Sequence, residues 1–366
     1  MKVRSFTAPR LGHAGSPARL GRAARSPWAV AAAVASALAL SACGSSGPTS
    51  SSGSSGSGGN AWASVNVGIA LSPPKAIFMG PYVAQAQGFF AKEHLHVKFI
   101  SMPNGLQTEL GTTAGSIDFG FSSASDSIEA AAQHAPIHAI WSYGTKLDTQ
   151  CIGAPGIKTA KNLIGRPVGS TGTDGFSITL LQACLEPAGV HLNQVKPINM
   201  TRSEFVPAMV AGKIDAAVFH ADDAYVITHQ LKGASVLESE YQTIPQWWYG
   251  GVSMLDSYGK ANHDVVVRFL TAMMMADRWM NNPANSTALA ALATKTTQED
   301  PAAVAYAINF LRASGTWPNG AGLDPAQVNY TAGILAKYKD IPSQPSFSQI
   351  VDPSYANEAA AKLGSS

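Results

Sequence analysis

The stretch Arg166-Pro-Val-Gly-Ser-Thr-Gly-Thr-Asp-Gly-Phe-Ser-Ile-Thr-Leu-Leu-Gln-Ala-Cys-Leu-Glu-Pro-Ala-Gly189 sets the architecture. It runs from a short apolar strand, Pro167 to Ser170, through the polar turn Thr171, Gly172, Thr173, Asp174 and Gly175. It then enters a segment with Ile178, Leu181 and Leu185 at helical spacing. The first N–H groups of such a helix lack internal partners and carry partial positive charge, so the turn suits a polar ligand group. A second unit of this kind stands at Ile117-Asp-Phe-Gly-Phe-Ser-Ser-Ala-Ser-Asp-Ser-Ile-Glu-Ala-Ala-Ala132. Two such ends facing each other make a cleft.

Outward from these units the pattern repeats. Val65 to Leu71 alternates as a first strand and Ser72-Pro-Pro-Lys75 breaks it; Gly80 to Lys92 reads as a helix ending near Gly88, and Val97 to Ile100 as a strand. Leu106–Ala114 and Ser125–Gln133 read as helices, Phe119–Phe121 and Ile137–Ser142 as strands. From Cys151 the alternation restarts: Ala160–Leu163, strand 168–170, helix 176–188, strand 195–198, helix 203–211 and strand 216–219. A strand at 252–255 follows, then helices at 264–281, 286–294, 301–312 and 325–337. Such alternation predicts two α/β units with largely parallel sheets and ligands at the carboxyl ends of the strands. The chain enters one unit, visits the second and returns.

Composition fits a folded core, with 46% hydrophobic and 13% charged residues. The net charge of +2 is misleading: residues 1–42 hold six basic side chains and no acidic one, so the remainder carries 19 basic against 23 acidic groups, a net of −4. That excludes a basic surface for nucleic acid. Residues 1–42 read as a signal peptide: a basic region, then an apolar run from Trp28 to Leu40 too short for a comfortable membrane span. Leu40-Ser41-Ala42-Cys43 resembles the bacterial lipobox, which implies lipidation of Cys43. A tether rich in Ser and Gly fills most of 43–63. The expectation is a protein anchored by lipid on the extracytoplasmic face of the cell membrane. That compartment permits a disulfide between Cys151 and Cys184; the other reading is two small buried hydrophobes.

Four motifs in order resemble the substrate-binding proteins of bacterial ABC importers, in the branch that groups nitrate, taurine or sulfonate, and thiamine-pyrimidine binders. They are Gly80-Pro-Tyr-Val-Ala-Gln-Ala-Gln-Gly-Phe-Phe90, Ile117-Asp-Phe-Gly-Phe-Ser-Ser-Ala124, Ile157-Lys-Thr-Ala-Lys-Asn-Leu-Ile-Gly-Arg-Pro-Val-Gly169 and Ala208-Met-Val-Ala-Gly-Lys-Ile-Asp-Ala-Ala-Val218. The resemblance implies a two-lobed periplasmic binding protein of type 2 that closes on its ligand and delivers it to a membrane permease. Lobe 1 would hold residues 64–150 and 247–350, lobe 2 residues 151–246, with a tail at 351–366 and hinges near 148–152 and 244–250.

Carried over by motif position, the ligand contacts are Ser72, Phe78, Tyr82, Ser122, Ser123, Ser125, Thr171, Gly172, Thr173, His220, Asp222, Trp247 and Trp248. Thr171, Thr173, Ser123 and Ser125 also read as helix caps, Asp222 with Asp223 as solvated caps, and one of the two indoles as core or the pair as a staple between the lobes. His220 would make binding pH-dependent if it faces the cleft. Where the family often has Glu-Pro after the Asp-Ala-Ala strand, this chain has His220-Ala-Asp-Asp-Ala224, and Asp174 can satisfy its own helix end; both turn the reading away from nitrate or a bare sulfonate. No metal-binding spacing, P-loop or Gly-x-Ser-x-Gly elbow occurs. The expectation is a monomeric, non-catalytic binder of a small polar organic molecule, taurine-like, alkanesulfonate-like or nitrate-like, without a cofactor. A thiamine-precursor pyrimidine is the alternative ligand; an enzyme like the pyrimidine synthases of the same fold, or a sensor lobe, is the alternative class.

Overall fold

The computed structural model describes residues 61–364 except Asp174. The signal peptide, Cys43 and all but the last few residues of the tether lie outside the described residues, as does Asp174. Among the described residues no helix is long and apolar enough to cross a membrane.

Among the described residues, ten strands form two five-stranded sheets. They are β1 (Ala63–Ala70), β2 (Leu95–Met102), β3 (Phe119–Ser123), β4 (Ile137–Gly144), β5 (Gln150–Gly153), β6 (Pro167–Ser170), β7 (Lys196–Asn199), β8 (Ala216–Phe219), β9 (Ser235–Glu238) and β10 (Gly250–Leu255). The first sheet has the order β2-β1-β3-β10-β4 and the second β7-β6-β8-β5-β9. Each lobe repeats one plan: second, first and third strands side by side, then the strand that arrives from the other lobe, then the fourth. Helices cover the sheets.

The sheets are mixed, where the alternation predicts largely parallel ones. β1 is parallel to β2 and β3, and β6 to β7 and β8, but β10 is antiparallel to β3 and β4, and β5 to β8 and β9. The cause is topological. The parallel strands end at the cleft, whereas β5 and β10 enter from the opposite lobe, begin at the cleft and run away from it. Short-range pattern carries no trace of this. The crossovers are residues 145–149 and 239–249, the latter containing the short helix Glu240–Thr243.

Burial follows the elements. On β1 the inward Val65, Val67 and Ile69 are almost fully buried. The helix His263–Asn281 lays Phe269 flat on Phe119 of β3, with ring centroids 3.9 Å apart. The segment read as a tail belongs to the body of lobe 1: Val351 bridges Ala139 of β4, and the helix Ser354–Leu363 buries Tyr355, Ala356 and Ala359. In lobe 2 a disulfide joins Cys151 of β5 to Cys184 of the helix Phe176–Leu185.

Candidate functional site

The carboxyl ends of the parallel strands of both sheets open on one cavity of about 380 Å³. From lobe 1 come Leu71 after β1, Asn104 to Leu106 after β2, Ser123 ending β3, Tyr143 in β4, and Phe78. From lobe 2 come Thr171 after β6, Asn199 to Arg202 at the end of β7, and His220 after β8, with Phe176 beside them. Tyr249 joins them from the return crossover.

The two strand-turn-helix units do face each other. Ser123 caps the helix Ala124–Ala132: its Oγ accepts from the Asp126 N–H at 3.3 Å, and Asp126 Oδ2 accepts from the Ser123 N–H at 3.1 Å. The Asp126 carboxylate rests on Gly105, where a Cβ would stand 1.8 Å from Oδ2. Its other oxygen lies 3.7 Å from where Gly175 would carry a Cβ, and Gly175 has the left-handed φ of +76° that glycine tolerates. In that turn Ser170 Oγ donates to the Gly172 carbonyl at 2.6 Å, and Ser177 Oγ accepts from the Thr171 N–H at 3.4 Å.

Arg202 is a candidate site residue that the sequence reading missed. It begins the turn Arg202–Glu204, where Thr201 and Glu204 form a capping box at the exit of β7. Its guanidinium stands 5.0 Å from the Phe205 ring centroid, and its buried Nε and Nη2 have no hydrogen-bond partner in the protein. A buried guanidinium with open donors is costly unless something supplies acceptors. The available signal was Thr-Arg-Ser-Glu directly after a strand that ends at the cleft.

His220 is held by both crossovers: Nδ1 lies 2.9 Å from Asp148 Oδ1 and 3.3 Å from the Tyr249 hydroxyl. Burial pushes the pKa of Tyr143 and Tyr249 well above the ordinary tyrosine value, so both keep their protons. Tyr143 donates its proton to the Ser122 carbonyl at 2.9 Å.

Of the residues predicted for the site, Phe78, Ser123, Thr171 and His220 line the cavity and the others do not. Ser122, one position before Ser123 on a strand, points the opposite way and donates to the buried Glu109. Ser125 is buried in its helix, and Tyr82 packs on Phe99 with centroids 4.8 Å apart. Ser72 and Thr173 are exposed, and Gly172 is half-buried beside the wall. Trp247 and Trp248 are wholly buried; the Trp248 indole donates to Ser142 Oγ at 3.1 Å and its backbone N–H to Thr331 Oγ1 at 2.8 Å. Asp222 sits with Asp223 and Glu299 around Lys75. These three acids have ligand atoms within 4.8 Å of one another, and the Lys75 ammonium occupies the position a cation would take.

A family model described as NMT1/THI5 like matches residues 75–286, more than half of the chain. The chain belongs to the NMT1/THI5-like family. The matched span contains every strand after β1 and most of the cavity wall. No curated protein sequence matches this NMT1/THI5-like chain. Among solved structures it is similar to the alkanesulfonate-binding protein of Xanthomonas axonopodis pv. citri bound to MOPS, at 15% identity over 79% of this chain and 98% of that one, TM-score 0.66. It is similar to the periplasmic nitrate-binding protein of Synechocystis PCC 6803, at 12% identity over 83% and 89%, TM-score 0.68. A Candida albicans protein with the generic periplasmic binding protein fold matches at 12% identity over 80% and 96%, TM-score 0.64. The fold is therefore that of the two-lobed periplasmic binding proteins.

Proposed function

We propose that this chain is the extracytoplasmic solute-binding protein of an importer, capturing a small organic anion between its lobes and handing it to a membrane permease. The observation that carries this reading is Arg202, a residue of the interlobe cavity wall whose buried Nε and Nη2 have no hydrogen-bond partner in the protein. Planar, charged donors of this kind suit the oxygens of a sulfonate or carboxylate. The sulfonate-binding and nitrate-binding proteins of the same fold support an anionic ligand. The lipobox at Cys43 supports an anchored location beside a permease.

Closure follows from contact with both walls. A ligand held by Arg202 in lobe 2 and resting against Phe78 in lobe 1 gains affinity only when the lobes meet, and that difference shifts the population to the closed form. Binding needs no bond to be made or broken. Calorimetry with organic sulfonates and carboxylates tests the reading on the wild-type protein and on Arg202→Gln. Loss of a charge-assisted pair is expected to weaken binding roughly 10- to 100-fold; an acid that binds both proteins equally would remove Arg202 from the site.

A further inference from the structure

We infer that the ligand is an aromatic or heteroaromatic acid, its acid group on Arg202 and its ring against an arc of aromatic side chains that runs from one lobe to the other. The inference rests on the anion-binding reading above and names the chemical class.

The arc is continuous. Phe78 and Tyr143 of lobe 1 have ring centroids 5.0 Å apart, Tyr143 and Tyr249 5.7 Å, Tyr249 and Phe176 of lobe 2 5.5 Å, and Phe176 and His220 6.4 Å. All five line the cavity. These spacings are those of interacting rings, so the series is packed along its length and a further ring joins it where a ring face is left uncovered. Phe176 is half-buried while the other four are buried, so it is the ring with surface left to cover. Leu71, Leu106 and Met200 extend the apolar lining.

Size points the same way. A cavity of about 380 Å³ falls in the range of sites that enclose organic ligands with a ring and substituents. At ~30 Å³ per water it equals about a dozen waters. Nitrate or taurine would fill a small part of it and leave Phe176, the half-buried ring, against water. The tyrosine hydroxyls are already engaged, Tyr143 with the Ser122 carbonyl and Tyr249 beside His220, so these two residues offer ring surface more than hydrogen bonds.

The test is calorimetry on the wild-type protein with benzenesulfonate, benzoate and pyridine-carboxylate beside methanesulfonate, taurine and nitrate, repeated with Phe176→Ala and Arg202→Gln. The expected result is binding of at least one ring-bearing acid tenfold or more tighter than methanesulfonate. Phe176→Ala should remove that advantage, and Arg202→Gln should weaken every acid. Saturation-transfer NMR on wild-type protein should place ring protons nearest the protein, a readout independent of any variant. Methanesulfonate, taurine or nitrate binding as tightly as the ring-bearing acids would overturn the aromatic class and leave the anion reading standing. No binding by any acid would overturn both.

Discussion

Lys75 Nζ lies 2.7 Å from Asp223 Oδ1, a bond that joins the loop after β1 in one lobe to the start of the helix Ala221–Gln230 in the other. Glu299 binds the same ammonium, and Asp222 Oδ1 stands 3.9 Å away. Burial alone would depress the lysine, but Asp222, Asp223 and Glu299 outweigh it and hold its pKa above the ordinary value. A second set of contacts also joins the lobes: Glu186 of lobe 2 binds Lys337 and accepts from the Tyr338 hydroxyl at 2.6 Å, and Thr179 Oγ1 donates to Asp340 Oδ2 at 2.9 Å. The lobes are thus fastened by one buried cluster and by a second that is largely exposed.

Lys75→Met is expected to lower unfolding stability by about 3–5 kcal/mol, because it leaves three acids buried without their cation. Urea unfolding measures the loss, and small-angle scattering should show a wider separation of the lobes. A loss below about 1 kcal/mol would mean that the cluster relaxes into water when the lysine goes. Glu186→Gln, in the exposed cluster, should cost about 1 kcal/mol or less.

The interior acids make stability depend on pH. Burial raises Glu109 from its ordinary 4.5 to about 7, although the hydroxyls of Ser122, Ser253 and Ser127 donate to its Oε1. Glu240, buried at the return crossover, is pushed to about 8 by burial. Folded values above the unfolded ones favour the protonated forms. Their stability is therefore complete below about pH 4.5 and lost as pH rises through 7 and 8. For Glu109 this is on the order of 3 kcal/mol. Urea unfolding between pH 4.5 and 8.5 should show the decline, and Glu109→Gln should flatten its lower part; an unchanged slope in that variant would assign the decline elsewhere.

The disulfide between Cys151 and Cys184 spans 33 residues and removes about 3–4 kcal/mol of chain entropy from the unfolded state. Reduction, or the double change Cys151→Ala and Cys184→Ala, should lower the unfolding midpoint accordingly. Because the bridge secures the helix that begins at Phe176, ligand affinity should fall as well. Equal affinity in both redox states would show that packing alone positions Phe176.

Gly105→Ala should disturb the cavity more than its size suggests. The added methyl would meet Asp126 Oδ2 at 1.8 Å, so the carboxylate has to leave the Ser123 cap. The cap is worth about 1 kcal/mol, measurable by thermal unfolding, and the moved carboxylate should weaken ligand binding in calorimetry. Gly189→Ala, at a left-handed residue with open space around it, should affect stability without touching affinity.

The fold was legible in the sequence wherever local pattern decides it. β6, β8 and the long helices fall within a few residues of their expected positions because hydrophobic spacing and turn residues are local signals. β5 and β9 were not seen as strands and β10 was seen only in part, since β5 and β10 arrive from the other lobe to pair with strands distant in sequence and β9 pairs with β5. The site was half legible. Strand ends at the cleft could be named, giving Ser123, Thr171 and His220, but which neighbour faces inward depends on the pleat, and Ser122 shows the cost of choosing both. Trp247 and Trp248 present the same indoles whether they cap a ligand or a core, and partners such as Ser142 and Thr331, distant in sequence, decide it. Asp222 was misread for want of Lys75, and Arg202 was passed over because a single cation in an otherwise ordinary turn acquires meaning only when its buried nitrogens are seen to lack partners.

Tyr249 lies on the return crossover itself, and His220 is tethered to Asp148 on the outgoing one. In an opening of the lobes about these two connections, Tyr249, which stands on one of them, would move less than wall residues farther from the crossovers. A molecule entering the open cleft would therefore meet one wall element already in place, near the axis, before the rest arrives. The pivot doubles as the landing place, and the order of contacts during capture is written into where the chain changes lobes.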